Sequence, residues 1–363
     1  MAKILKAPGK YIQGAGEVKN IGKIIKNMGT NFLVLMSKRS KSEIWEIIYS
    51  SITEAGYKCI CEIFNGECTL EEISRLVEIG KTNNCNSVIS FGGGKIIDTG
   101  TAVAVGLDST SIVIPTIASN DAPCSGLSVV YNDKGEVVKV IFGKRNPDLV
   151  IVDPDLLIKS PKKYLIAGMG DALSTYFEAR ACKESKAKNM GRGTATSIAL
   201  QMGKLCYELL LANGEKALEE FENGIVGEAI ENILEANILL SGIGFESGGL
   251  AAAHAINDGF SQSQQAHKAL HGEKVAYGTL CQLILEKVSE KDYDEVFNFC
   301  KSIGLPTKLS DLGIVKINPE EIKNIAAAAC APTQSTKNMP FAVSIDDVEN
   351  AIYKVNEIGE SRK

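Results

Sequence analysis

The chain has 363 residues, 45% of them hydrophobic and 23% charged, and carries a net charge of −5. That length exceeds the usual span of one hydrophobic core, so two domains are expected, with a crevice between domains as the usual place for a small molecule. The negative balance gives no pull toward phosphate backbones, the opening Met-Ala-Lys-Ile-Leu-Lys lacks the apolar core of a signal peptide, and no apolar run is long enough to span a bilayer; nucleic-acid and membrane partners are therefore not expected, and the cytoplasm is the expected compartment.

From the N-terminus to about residue 160, short β-rich runs alternate with stretches of helical period, the pattern of a parallel sheet covered by helices. In chain order, Phe32–Met36 reads as a buried strand, Ser42–Ala55 and Leu70–Thr82 as helices, and Ser87–Phe91 and Ser111–Pro115 as further strands. Leu127–Tyr131 and Glu136–Phe142 flank Asn132-Asp-Lys-Gly135 as a β-hairpin, and Asp148–Val152 closes this half. After Ser160-Pro161, a helix-opening pair, β-rich runs give way to long Ala-, Leu- and Glu-rich stretches. The expected architecture is an α/β N-terminal domain with a parallel sheet, residues 1–160, followed by an all-α C-terminal domain, residues 161–363, the boundary resting on the change of period alone. The ten cysteines are scattered, without a Cys-x-x-Cys pair, and are expected to be free and mostly buried; Cys59 and Cys61 are too isolated for a structural zinc, which takes four ligands.

Two constellations carry chemistry. Strand Ser87–Phe91 runs into Gly92-Gly-Gly-Lys95 and then a helical stretch from Ile96, the arrangement in which backbone N–H groups at a helix start receive a phosphate. It is neither a P-loop nor the G-x-G-x-x-G fingerprint, and a tight strand-to-helix turn has the same residues. The three histidines, His254, His267 and His271, fall within one short stretch of the helical half, where clustered imidazoles suit a metal. His267 and His271 have i,i+4 spacing, and spacing does not decide among the three. Asp171, in Gly168-Met-Gly-Asp171, offers a carboxylate; on local sequence it reads equally as a helix cap or first-turn acid.

Taken together, Tyr11-Ile-Gln-Gly14, Gly92-Gly-Gly-Lys-Ile-Ile-Asp98, Asp121-Ala-Pro-Cys-Ser125, Asn146-Pro-Asp-Leu-Val150, Gly170-Asp-Ala-Leu173, Ala251-Ala-Ala-His254 and His271-Gly-Glu-Lys-Val275 closely resemble the glycerol dehydrogenases of the iron-containing (type III) alcohol dehydrogenase superfamily. The resemblance implies a dehydroquinate synthase-like fold, a nicotinamide dinucleotide on the N-terminal domain and metal-assisted catalysis on the helical one. It implies that Asp171, His254 and His271 hold a catalytic Zn²⁺ with an open fourth position, His267 standing beside the site. Iron-binding relatives carry a histidine four residues after the aspartate; Thr175 stands there, which favours zinc over iron. Gly93, Gly94, Lys95 and Asp98 are implied at the pyrophosphate and neighbouring ribose, Thr116, Ser119, Ser125, Leu127 and Tyr131 at the rest of the dinucleotide. Asp121 is the implied contact to a second substrate hydroxyl, Phe245 the packing against the substrate's carbons. The implied reaction converts glycerol to dihydroxyacetone, with another small alcohol, a hydroxy-ketone or a phosphorylated glycerol as alternatives, in a homo-oligomer, often an octamer.

Two departures from the family pattern stand out. After Phe32–Met36 the family places an aspartate on the adenine ribose, whereas this chain reads Ser37-Lys38-Arg39-Ser40; hydroxyls and cations tolerate a 2′-phosphate, so NADP is possible beside NAD. Asn257 replaces a frequent histidine and is expected to change the outer shell of the pocket.

Overall fold

Residues 1–132 and 137–362 are described by the computed structural model. Contacts divide the chain into two units, Lys6–Pro161 with Gly224–Val226, and Met1–Leu5 with Lys162–Asn223 and Gly227–Lys363.

The first unit is built on six parallel strands, β1 (Tyr11–Gln13), β2 (Asn31–Met36), β3 (Lys58–Ile63), β4 (Ser87–Gly92), β5 (Thr110–Pro115) and β8 (Leu149–Val152), in the order β1-β8-β5-β4-β2-β3. β2, β4 and β5 are buried at almost every position because helices cover both faces. Alternation along β2 sorts them. Phe32, Val34 and Met36 pack with Ile21 of α1 (Ile21–Ile24) and with Ile48 and Ile52 of α2 (Lys38–Glu54). Leu33 and Leu35 pack with Leu76 of α3 (Leu70–Thr82) and Val103 of α4 (Gly94–Leu107). A short helix, α5 (Pro154–Leu157), follows β8. The chain leaves β2 toward β3 on one side and returns to β4 on the other, so the strand order reverses between β2 and β4, and ligands of open α/β sheets bind beyond the carboxyl ends of strands at such a point. Separately, β6 (Leu127–Tyr131) and β7 (Val137–Phe142) pair antiparallel, Val129 opposite Val140. The expected hairpin turn at 133–136 lies outside the described residues.

Two strands, β1 and β3, were not anticipated in the sequence. The helix expected from Ser42 starts earlier, at Lys38, because the Ser37 hydroxyl caps it, accepting from the Ser40 N–H at 3.0 Å.

The second unit is helical: α6 (Lys162–Ser185), α7 (Ser197–Glu222), α8 (Glu228–Leu234), α9 (Ser241–Gly248), α10 (Ala252–Gly259), α11 (His271–Glu286), α12 (Glu290–Ile303), α13 (Pro319–Ala329) and α14 (Ile345–Ser361), with a π-helical stretch, Glu235–Leu240, joining α8 to α9. The first residues of the chain belong to it: the Ile4 N–H donates to the Thr194 carbonyl at 3.1 Å, and the Thr194 N–H to the Ala2 carbonyl at 2.9 Å. Among the described residues none of the ten cysteines is in a disulfide, and six are buried. Among the described residues no helix is long and apolar enough to cross a membrane.

Candidate metal centre and glycine loop

Within the helical unit, α6, α10 and α11 approach one another at glycines. A Cβ on Gly272 would lie 1.7 Å from the Ala167 carbonyl oxygen, one on Gly170 2.4 Å from the Gly272 oxygen, and one on Gly278 2.4 Å from the Ala253 oxygen. Only hydrogen fits at these crossings, and the resulting backbone contacts bring Asp171 of α6, His254 of α10 and His271 of α11 together. His254 Nε2 lies 3.4 Å and His271 Nε2 3.2 Å from Asp171 Oδ1, and the three ligand atoms all fall within 4.8 Å of one another. The side chains are 1%, 12% and 42% exposed for Asp171, His254 and His271, so the set is closed on the α6 side and open at His271. One carboxylate oxygen and two imidazole nitrogens with an open side make the donor set of a three-ligand catalytic metal site.

The electrostatics suit a cation. Burial alone would raise the Asp171 carboxyl, but His271 and His254 outweigh it and hold the group well below the usual carboxylate range. Burial opposes a charge on His254, yet the Glu178 carboxylate and the hydrogen bond to Asp171 carry it well above the ordinary imidazole value.

Asp171 is not the capping acid its local sequence allowed, since it sits in the interior of α6 and is buried. His267 is exposed on the 3₁₀ turn Gln265–Lys268 and stands outside the cluster; it and His271 share no helical face because α11 begins at His271. Thr175, one turn beyond Asp171, is buried with its hydroxyl 3.0 Å from that of Ser241, and its methyl lies where Gly244 of α9 has no side chain. Phe245 is buried on the same α9, which packs on α6, and Asn257 donates to Asp258 at 3.0 Å.

Two further residues escaped the sequence reading. α10 has no side-chain cap of its own, yet its four leading N–H groups are all satisfied: Ala251 and His254 donate to Glu178 Oε1 at 2.8 and 3.0 Å, and Ala252 and Ala253 to Gln282 Oε1 at 3.1 and 3.0 Å. The detectable signal was spacing: Glu178 lies two turns beyond Asp171 on the same face of α6.

In the sheet unit, β4 ends at Gly92, Gly93 caps α4 in an extended conformation, and Gly94 and Lys95 open the helix, whose first N–H groups point out of its end. Ser37 follows Met36, the partner of Phe91, and Thr116 follows Pro115, the partner of Gly92; Ser37, Thr116 and the glycine loop from Gly93 therefore meet at the carboxyl edge of neighbouring strands. Lys95 is ion-paired with Glu67 at 2.5 Å. Asp98 is buried deeper on α4; burial pushes its carboxyl up to about 8, against a hydrogen bond from the Val129 backbone. Ser119 and Asp121 lie in the loop after β5, half-buried, and Ser125 is buried with its hydroxyl donating to the Ala122 carbonyl at 3.2 Å. Leu127 and Tyr131 are the half-buried ends of β6.

Residues 8–154 match the family described as iron-containing alcohol dehydrogenase. Over 99% of both sequences the chain is 42% identical to a glycerol dehydrogenase of Citrobacter freundii. Among solved structures, a probable glycerol dehydrogenase from Sinorhizobium meliloti 1021 matches with a TM-score of 0.93 at 39% identity, over 99% of this chain and 100% of that one. The glycerol dehydrogenase of Schizosaccharomyces pombe matches with a TM-score of 0.96 at 33% identity, over 99% and 92%. With its sheet unit, helical unit and Asp-His-His cluster, the chain belongs to the iron-containing alcohol dehydrogenase family and is an enzyme of the alcohol dehydrogenase type, similar along its whole length to the glycerol dehydrogenases.

Proposed function

We propose that this enzyme moves a hydride between a small polyol, glycerol in the first instance, and NAD(P), giving dihydroxyacetone, with Asp171, His254 and His271 holding a zinc ion. The observation that carries the reading is the convergence of three ligand atoms within 4.8 Å, open on one side. Bound there, zinc supplies a Lewis acid able to lower the pKa of a hydroxyl as it does that of water, from about 15.7 toward about 7. Zinc is favoured over iron because Thr175 offers no nitrogen and is locked between Ser241 and Gly244.

The chain's own residues do the rest. Gly93, Gly94 and Lys95 receive the pyrophosphate with backbone N–H groups at the start of α4, and Asp98 turns to the neighbouring ribose. Thr116, Ser119, Ser125, Leu127 and Tyr131 orient the nicotinamide end, and Ser119 or the cofactor's ribose passes the hydroxyl proton toward solvent. Asp121 accepts from the second hydroxyl of a vicinal diol, while Phe245 packs against its carbons. A half-buried carboxylate placed to accept from a second hydroxyl favours vicinal diols over simple alcohols. A phosphorylated substrate is disfavoured because Thr116 through Tyr131 contains no Lys or Arg.

The test is to strip the protein with chelator, reload it with Zn²⁺, Fe²⁺ or Mn²⁺, and follow NAD⁺ and NADP⁺ reduction with glycerol, other vicinal diols and mono-alcohols. Activity with glycerol restored best by zinc is the expected result. No diol turnover with either dinucleotide under any metal would overturn the reading.

A further inference from the structure

Glu178 is fully buried and stands behind His254 on the side away from Asp171: its Oε2 lies 2.6 Å from His254 Nδ1, while Nε2 of the same ring faces Asp171. Its other oxygen, Oε1, takes the backbone N–H groups of Ala251 and His254. One side chain on α6 therefore grips both the ring and the backbone of the histidine on α10. Gln282 holds the rest of that helix start and is itself fixed, its Nε2 donating to Glu286 at 2.9 Å and Glu286 pairing with Arg180. The two helices that anchor α10 are those that carry Asp171 and His271.

We propose that Glu178 is the positioning residue of this centre, an inference that rests on the metal reading above. A carboxylate only accepts, so opposite it Nδ1 carries the ring proton and Nε2 is left with the lone pair a metal needs. Capping α10 through the same group fixes where that lone pair points. Carboxylate partners of this kind orient ligating histidines and raise their basicity.

Glu178→Gln separates this role from simple capping. The amide oxygen can keep the two backbone N–H groups, but the NH₂ then faces Nδ1, which must accept, and the ring proton moves to Nε2, where it blocks the metal. Turning the amide over restores Nδ1 only by setting NH₂ against two buried N–H donors. Gln282→Met is the comparison: it removes the other half of the cap without touching the imidazole.

The experiment measures Zn²⁺ binding to full-length wild type and both variants by competition with a chromophoric chelator, beside the thermal midpoint of each metal-free protein. The expected result is a folded Glu178→Gln protein with zinc affinity lower by about 10–100-fold. Gln282→Met should lose stability while its affinity stays within about threefold, since it alters no group bonded to the ring. Glu178→Gln binding zinc as tightly as wild type overturns the proposal, as does a loss of zinc in both variants that simply follows their stability. A wild type that takes up no zinc overturns instead the metal reading on which the proposal stands.

Discussion

The glycine loop of the sheet unit grows from one strand into one helix, Gly92 to Lys95, and its working groups are backbone N–H groups fixed by the local turn. The proposed metal centre of the helical unit gathers side chains from positions 171, 254 and 271, held by helix crossings at Gly170, Gly272 and Gly278 and by Glu178 and Gln282. The first arrangement survives as long as β4 and α4 form. The second survives only if three helices keep their spacing to within the size of a methyl group. A site written locally tolerates change at a distance, whereas one assembled from remote segments concentrates its fragility at a few contacts.

The sharpest way to break this contrast is at the ligands themselves. His254→Ala or His271→Ala leaves two ligands and should abolish bound metal and cut turnover by roughly a thousandfold or more, the several kcal/mol a Lewis acid supplies. His267→Ala should keep both. Elemental analysis finding zinc in the His271 variant and none in the His267 variant would reverse the assignment.

Next come the crossings. In Gly272→Ala the new methyl meets the Ala167 backbone carbonyl at 1.7 Å, and backbone cannot step aside. The cost should be about 3 kcal/mol or more, with metal lost alongside. Gly100→Ala, in α4, meets the Ser90 side chain, its hydroxyl at 1.8 Å, which can rotate away, and its Cβ at 2.9 Å, which must shift slightly, so about 1–3 kcal/mol is expected with metal binding unchanged. Denaturant unfolding of the two variants, beside their zinc content, measures both; equal costs would erase the distinction between backbone and side-chain obstruction.

A smaller effect probes the sheet unit alone. Asp98 has its folded pKa raised to about 8, above the ordinary carboxylate value, so as pH climbs from about 4 to about 8 the unfolded chain releases a proton that the dinucleotide-free native state still holds. Wild-type stability therefore loses this contribution across that window. Asp98→Asn mimics the protonated form and should raise the thermal midpoint at pH 8, by at most a few kcal/mol in stability, with the gain vanishing toward pH 4. A gain that is the same at both values would mean the carboxyl is not held neutral.

The least disruptive change tests the ribose end. Aspartate caps helices as well as serine, so Ser37→Asp should leave α2 intact while setting a charge where a 2′-phosphate would come. Arg39 already pairs with Glu43 at 2.7 Å, which tempers the cationic character of the turn. Wild type should show measurable NADP⁺ turnover, and the variant should shift kcat/KM toward NAD⁺ by about tenfold, or roughly 1.4 kcal/mol. An unchanged ratio in kinetics at fixed low salt would remove this turn from cofactor choice.

What the sequence disclosed follows the same division. Strands such as Phe32–Met36 and Ser111–Pro115 were legible because burial on both faces demands unbroken apolar runs. β3 was not: Lys58-Cys-Ile-Cys-Glu-Ile63 is a half-buried edge strand with cysteines where valine or isoleucine would give the usual cue. The first turn of α2, Lys38–Lys41, was missed because a helical turn without apolar residues has no period, although Ser37 was a sound capping signal. Asp171 resembled a helix start because Gly168 and Gly170 precede it; Gly170 serves a crossing with a helix a hundred residues on, which no local pattern records. Glu178 looked like any other helical glutamate, since its meaning lies in what faces it.

The five residues at the N-terminus give the chain an order of events. Ala2, Lys3 and Ile4 lie against the stretch from Asn189 to Thr194, with the Asn189 amide donating to the Ile4 carbonyl at 2.8 Å and to the Ser247 carbonyl at 2.8 Å. During synthesis, when earlier segments fold before later ones exist, these residues emerge ahead of the sheet unit and must wait until all of it has been made before their partner appears. The helical unit is thus completed by a segment made before the sheet unit. A fragment starting at residue 162 would lack a segment of its own unit, and a tag fused to residue 1 would adjoin the unit that carries Asp171, His254 and His271 rather than the unit nearest to it in sequence.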